Sequence, residues 1–444
     1  MNAPSSARQP HVSLRPSACP GLLRIVQALD GGICRIKLAG GSLSADQADA
    51  IATATECFAG GAIEATNRGN LQIRGIRGDH SALIEQLLAA GLGPREAAGD
   101  DVRNLMLSPS AGLDPQMLFD ARPLAAQVLK TLETTPRFHQ LSAKFAVQLD
   151  AGEALAMLEH PHDLWLCALM LDDEPWLAFG LAGCPATDSP LGAVPLAQGH
   201  ALVVAVLDRF LALARPEQAR MRQLLENCLP EAFVNDLDLP IRRDPLILQW
   251  RRPVQPCTHL GPYPQRETGL SAVGAAPPLG RLTPSMLRGV AQLSRTLGDG
   301  SLRMTPWQSL LLPNIAQSQV ATVTAGLARL GLLCSAAEPL VRLVACTGSA
   351  GCAKGLADTK GDAVHLAALL TPGAPASVHL SGCIRSCAMA HAAPATLLAR
   401  APGRYDLYLR DARQKGFGAL RASDLTLEEA GTLLDARSRS PLDD

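Results

Sequence analysis

No stretch of about 18 consecutive uncharged apolar residues occurs in the 444-residue chain, so no membrane span is expected. The longest apolar helix candidate, Ala201 to Ala214, is interrupted by Asp208 and Arg209 and reads as a buried amphipathic helix. The opening segment, Met1 to Gly21, lacks an apolar signal core. Residues 1–17 read as a disordered start, and the expected location is the cytoplasm. An excess of charge is also missing: 40 Lys and Arg stand against 41 Asp and Glu, and charged residues are only 18%. That balance gives no sign of a nucleic-acid partner or a membrane surface. No G-x-G-x-x-G run follows a predicted strand, so no built-in nicotinamide or flavin domain is expected. Any electrons the chemistry needs would come from a separate NADH-linked donor protein.

What is present in quantity is apolar residue and cysteine. With 47% hydrophobic residues, the chain is able to bury two or more cores. Twelve cysteines are many for a reducing compartment. Cys19, Cys34, Cys57, Cys167, Cys184, Cys228, Cys257 and Cys334 are scattered and read as buried free thiols. The other four form C-x5-C (Cys346, Cys352) and C-x3-C (Cys383, Cys387). Zinc knuckles use C-x2-C or C-x4-C, and a redox dithiol uses C-x2-C. Four thiolates suit an iron–sulfur cubane. Spacing alone favours the cluster and leaves zinc and free thiols open.

The chain also repeats itself. Gly40 to Ile76 aligns without a gap on Leu279 to Ile315 at an offset of 239, with Gly41, Leu43, Ala52, Gly61, Thr66, Leu71 and Ile76 matching identical residues. Each copy reads as an N-cap (Ser44, Thr283), an amphipathic helix, closing glycines and a strand. Two shorter blocks extend the offset, Arg103 to Leu113 over Arg342 to Cys352 and Gln140 to Ala146 over His379 to Arg385. On that alignment Cys346, Cys352 and Cys383 lie over Leu107, Leu113 and Lys144, so the cysteine chemistry belongs to one half only.

The C-x5-C and S-G-C-x2-S-C pair resembles the sulfite/nitrite reductase family, which places siroheme beside a [4Fe-4S] cluster. The first half carries further resemblances: "TNRGNLQIRG" (Thr66 to Gly75), "RNLMLSP" (Arg103 to Pro109) and "LSAKFAV" (Leu141 to Val147). The resemblance implies an α+β fold, internally duplicated, with two ferredoxin-like half-domains and two α/β lobes related by pseudo-two-fold symmetry. The expected divisions are 18–98 and 99–250, then 256–337 and 338–444. It implies cluster ligands Cys346, Cys352, Cys383 and Cys387, with Cys387 facing the tetrapyrrole. It also implies a grip on tetrapyrrole carboxylates by Arg68, Gln72, Arg74, Arg103 and Lys144, for which arginine forks and lysine point charges are suited.

Two features separate this chain from the reductases. Ala146 stands where the family's second lysine of K-F-K is expected, which weakens a pocket for a small anion. The segment Ala18 to Ser44, with A-C-P-G, then D-G, then Arg, then G-G-x-L, resembles the oxygenase branch of the family, the precorrin-3B synthases of aerobic cobalamin synthesis. That branch hydroxylates precorrin-3A at C20 with O2 and closes a γ-lactone. The resemblance implies precorrin-3A and O2 as substrates and an additional mononuclear non-haem iron. A siroheme-dependent sulfite or nitrite reductase is the alternative, with siroheme as cofactor; a non-catalytic iron–sulfur or zinc protein is the third reading. No iron ligands are assigned. "HPHD" (His160 to Asp163) reads as a surface turn, and His379 and His391, which flank the cysteines, read as structural.

Overall fold

The computed structural model describes residues 19–253, 259–371, 377–411 and 413–439. The segment 1–17 and Cys257 lie outside the described residues. The repeat is visible as paired elements. The helix Ala45–Phe58 starts at Ser44, whose hydroxyl accepts from the Gln47 N–H at 3.1 Å while the Gln47 side chain accepts from the Ser44 N–H at 3.0 Å. This reciprocal cap satisfies two otherwise orphaned donors. Its counterpart, Pro284–Leu297, starts at Thr283 with proline in the first turn.

The strands that follow, Ala62–Ala65 and Ser301–Met304, keep the offset. So do five backbone positions with positive φ: Gly40 and Leu279, Gly41 and Gly280, Gly61 and Gly300, Gly69 and Gln308, Gly75 and Asn314. Left-handed backbone is costly outside glycine. Its recurrence at Leu279, Gln308 and Asn314 shows that the second copy keeps the backbone path after losing the residue that favours it.

The two copies are not separate beads. Ser42–Ser44 of the first copy pairs with Ser301–Arg303 of the second, and Arg281–Leu282 of the second pairs with Ile63–Glu64 of the first. Each five-stranded sheet is completed by a strand from the other copy. One apolar core spans both, with Ile51, Ile63 and Ile73 alongside Val290, Leu302 and Leu312.

Each copy leads into a lobe with its own sheet. In the first lobe, Leu105–Leu107, Val147–Asp150 and His162–Leu171 run parallel, and Glu174–Gly183 returns antiparallel. In the second lobe, Leu343–Ala345, Val378–Ser381 and Ala395–Ala401 run parallel before Arg404–Leu409 returns. The strand pattern corrects the third block of the repeat. Val147 pairs with Leu105 as Val378 pairs with Leu343. Lys144 therefore precedes its strand, whereas Cys383 follows its strand, and the two are not equivalent. The shared Leu-Ser had aligned the wrong ends of two matching strands.

One further expectation, the buried helix, holds, and another, the buried thiols, changes in part. Leu196 to Leu213 is long and apolar enough to pass as a membrane span by composition, with mean hydropathy 1.5. In the fold, Leu202, Val203, Val206, Leu207 and Phe210 of its helix are buried in the first lobe's core. Of the scattered cysteines, Cys34, Cys167 and Cys184 are buried as expected, whereas Cys19, Cys228 and Cys334 are half-buried and Cys57 is exposed.

Candidate functional site

The four clustered cysteines sit on two loops that leave adjacent parallel strands. Cys346 and Cys352 follow Leu343–Ala345; Cys383 and Cys387 follow Val378–Ser381. Parallel neighbours deliver their carboxyl ends to the same edge, which gathers the loops. Backbone bonds then lock them. The Leu356 N–H donates to the Gly382 carbonyl at 3.0 Å, and the Gly382 N–H donates to the Cys346 sulfur at 3.2 Å. Gly348, at φ 66°, could not carry a Cβ, which would stand 2.5 Å from the Ala357 carbonyl oxygen. Ser386 takes φ 50° between Cys383 and Cys387, and its hydroxyl donates to the Met389 carbonyl at 2.8 Å.

Burial pushes the Cys387 thiol up, and Cys383, Cys346 and Cys352 push it further. The four sulfurs thus share one electrostatic neighbourhood. As a donor set, four soft thiolates suit an iron–sulfur cluster. Cys387 is the exposed member of the set.

Facing Cys387 is the turn between Ala62–Ala65 and Leu71–Ile76. Asn67 donates to the Cys387 carbonyl at 3.4 Å. The next residue, Arg68, is half-buried. Its pKa falls to about 10, first through burial and then through Arg35 and Arg220, against the pull of Asp163 and Cys19. Arg220 is committed to Asp163, at 2.8 Å. Gln72, with its amide oxygen turned toward Arg35, accepts from Arg35 Nε at 2.9 Å and Nη2 at 2.6 Å. Gln72 therefore positions Arg35 rather than reaching a ligand itself. Arg68, Arg103 and Ala146 line one narrow recess together with Asn70, Asn104, Leu105, Met106 and His162. Lys144, two residues from Ala146, is exposed. Arg35 had gone unassigned, although its signal was the lone arginine after D-G in the opening segment.

Arg74 departs from its expected role. It donates to both oxygens of Asp30 at 3.0 Å and to the Gly351 carbonyl at 3.3 Å, and lies 3.7 Å from Glu64. Glu64 in turn bonds Arg281 at 2.7 Å and lies 3.8 Å from Lys360. Burial raises the Glu64 carboxyl, but Lys360, Arg74 and Arg281 outweigh it and hold the pKa below its usual value. Arg74 is thus saturated by internal acceptors and braces the loop that carries Cys352. Arg103 lines the recess but is partly spent on Asp100 at 3.4 Å and Glu133 at 3.5 Å.

The "HPHD" segment is not a surface turn: His160, His162 and Asp163 are 3%, 4% and 1% exposed. They are buried because the first lobe packs this segment against the loop after the cysteines. His160 stands 5.1 Å, ring to ring, from His391. Burial, aided by Arg68, drives the His162 pKa to about 3. His162 is therefore neutral; its Nδ1–H donates to the His160 carbonyl at 2.8 Å, which leaves Nε2 as an acceptor on the recess. His160 Nδ1, His391 Nδ1 and both nitrogens of His379 are buried without hydrogen-bond partners.

Comparison with known proteins agrees with this geometry. Residues 26–91 and 263–330 match the nitrite/sulfite reductase ferredoxin-like half domain, and residues 98–243 match the nitrite and sulphite reductase 4Fe-4S domain. The second match falls on the first lobe, while the cysteines belong to the second. A ferredoxin–nitrite reductase of Zea mays is 29% identical over 385 residues, covering 80% of this chain and 67% of its own. A precorrin-3B synthase of Sinorhizobium sp is 28% identical over 415 residues, covering 90% of this chain and 84% of its own. The solved Mycobacterium tuberculosis NirA protein has the same fold, with a TM-score of 0.74 at 22% identity over 91% of this chain and 79% of its own.

Proposed function

Because the chain belongs to the nitrite and sulfite reductase family, we propose that it is a precorrin-3B synthase, with precorrin-3A in the cleft that holds siroheme in the reductases. The observation that carries this reading is the composition of the recess: a half-buried arginine with no carboxylate at salt-bridge distance among the described residues, Arg68, beside a neutral Ala146 and a neutral His162. A partly desolvated guanidinium near two other cations calls for an anion, and a polycarboxylate tetrapyrrole supplies several. A small-anion reductase site calls instead for extra positive charge and proton donors at the reacting centre. The likeness to the Sinorhizobium synthase also extends over more of both chains than the likeness to the maize reductase.

In this reading Arg68 and Arg35 hold side-chain carboxylates through charge-assisted bonds, and Lys144 adds a mobile cation at the rim. Gln72 keeps the Arg35 fork in plane. Leu105, Met106 and Ala146 are buried behind the recess and give it an apolar backing. His162 Nε2 accepts a hydrogen bond from a donor in the recess and stays unprotonated. The [4Fe-4S] cluster, held by Cys346, Cys352, Cys383 and Cys387, would supply electrons singly. One atom of O2 enters at C20 and the other leaves as water, with two electrons and two protons drawn from an external NADH-linked donor. The ring A acetate carboxylate then closes the γ-lactone. A mononuclear non-haem iron completes the cofactor set of this reading.

Anaerobically purified protein given precorrin-3A, O2 and a reductant should yield a pigment heavier by one oxygen atom in mass spectrometry. Stoichiometric bound siroheme with turnover of sulfite or nitrite would overturn the reading in favour of a reductase.

A further inference from the structure

Two buried charges of opposite sign stand beside Cys346, and neither lines the recess. One is Glu64, on the strand Ala62–Ala65 of the first copy. Thr347, the residue after Cys346, donates its hydroxyl to Glu64 Oε2 at 3.3 Å. That bond holds the carboxylate against the cysteine loop. The other charge is Lys360, in the first turn of the helix Thr359–Leu369. The residue before it, Thr359, is fully buried. Its hydroxyl donates to the Cys346 carbonyl at 2.7 Å and stands 3.5 Å from the Cys346 sulfur. The start of the helix is thereby fixed against the cysteine.

Lys360 Nζ donates to the Leu279 carbonyl at 2.6 Å and lies 3.8 Å from Glu64 Oε1. A neutral donor would tie the helix to Leu279 equally well, so the tie does not account for the charge. A buried ammonium is costly to keep. Burial draws the Lys360 pKa below the usual lysine value, and Glu64 and Cys346 act to keep the group charged.

One electron, taken from an external donor, makes an iron–sulfur cluster more negative by one charge, with no bond made or broken. A nearby cation favours that state and a nearby anion disfavours it, and burial limits screening by salt. The Gly382 N–H, 3.2 Å from the Cys346 sulfur, adds a donor at the same corner; net charge and such donors both move cluster potentials. We propose that Lys360 and Glu64 set the reduction potential of the cluster held by Cys346, Cys352, Cys383 and Cys387, Lys360 raising it and Glu64 lowering it. The inference rests on the cluster of the reading above and not on precorrin-3A as the substrate.

Redox titration of the cluster-loaded protein, followed by the EPR signal of the reduced cluster, reads the potential without turnover. Lys360→Met should shift the balance about tenfold toward the oxidised form, which is about 59 mV downward for one electron. Glu64→Gln should shift it about tenfold the other way. Lys360→Arg, which keeps the charge, should stay within about twofold of wild type. The double variant Lys360→Met/Glu64→Gln leaves neither charge facing a lost partner and should lie between the two single variants. Where Lys360→Met alone fails to hold a cluster, the double variant must lie about tenfold below Glu64→Gln. Shifts of one sign in both single variants, or none in either with bound iron and sulfide retained, overturn the inference and leave the cluster standing. A wild-type protein that takes up no iron and sulfide refutes the cluster itself.

Discussion

The two halves share a backbone and divide the chemistry. At the turn that faces the cysteine loops, the first copy has Arg68 and the second has Trp307, one offset later. Arg68 is half-buried and has no acid at salt-bridge distance among the described residues, whereas Trp307 stacks on His259 with the rings 5.4 Å apart and parallel within 2°. At the end of the first parallel strand the first lobe has Leu107, buried in an apolar core, and just beyond the matching strand the second has Cys346. A duplicated fold offers two equivalent corners. Here one corner became a cation that awaits an anion and the other a packing contact; one strand end keeps an apolar side chain and the other bears a thiol. The difference teaches that like halves bring unlike side chains to the seam, so that the candidate cleft is built once.

The most severe way to break this asymmetry is to remove its cysteine side. Cys383→Ala should abolish the cluster, reducing bound iron and acid-labile sulfide to background. Cys34→Ala, a buried thiol of the first copy, should leave both at the wild-type level. Retention of the full cluster in Cys383→Ala would show that the four-cysteine assignment is wrong.

Next in size is the buried charge group that ties the halves to the cysteine lobe. Breaking a buried pair by removing one partner typically costs about 3–5 kcal/mol. Arg74→Met should therefore lower the unfolding free energy by about that much in denaturant titration, and loosen the loop at Gly351. Glu64 gives the same network a pH signature. Its folded pKa lies below the unfolded value, with burial opposed and outweighed by Lys360, Arg74 and Arg281. The stabilisation is thus complete above the unfolded value, about 4.3, and is lost as pH falls through the folded value. Glu64→Gln should flatten that acid limb. An unaltered pH profile would mean that Glu64 is not held ionised by its neighbours.

Arg68 sharpens the comparison on the ligand side. A hydrogen bond to a charged group is worth about 1.5–3 kcal/mol. Arg68→Ala should weaken binding of a carboxylated tetrapyrrole about 10–100-fold, while Trp307→Leu at the matching position should leave the affinity unchanged. Fluorescence titration with the pigment reads both. Equal losses in the two variants would remove the distinction between the corners.

Much of this arrangement was legible in the residues. The helices, the strands and five left-handed positions recur at the offset read from Gly41, Leu43 and Gly61, because a gapless repeat preserves local backbone demands. The gathering of C-x5-C with C-x3-C was legible too, since both follow apolar strand patterns. The exchange of Ser42–Ser44 and Arg281–Leu282 between sheets was not: local pattern does not say which sheet a short strand joins. Lys144 and Cys383 were misaligned because Leu-Ser occurs on opposite ends of matching strands. Arg74 and the buried histidines were misjudged for one shared reason. Whether a polar residue is buried or spent on an internal partner depends on elements distant in sequence, such as Asp30, which pairs with Arg74, and the loop at His391, which covers His160.

The smallest test concerns what the halves still have in common. Gly61 and Gly300 occupy the same place in the two copies, at φ 81° and 76°, and an added Cβ would meet nothing within 4 Å at either. Sterics with neighbours therefore cancel from the comparison, and only the intrinsic cost of left-handed backbone remains. Alanine there should cost roughly 1–2 kcal/mol, with Gly61→Ala and Gly300→Ala equal within about 0.5 kcal/mol and additive in the double variant. Denaturant midpoints at constant slope measure all three. A clear inequality would mean that one copy yields its turn more easily than the other, and that the division of labour between the halves extends from their side chains to the stability of the shared backbone.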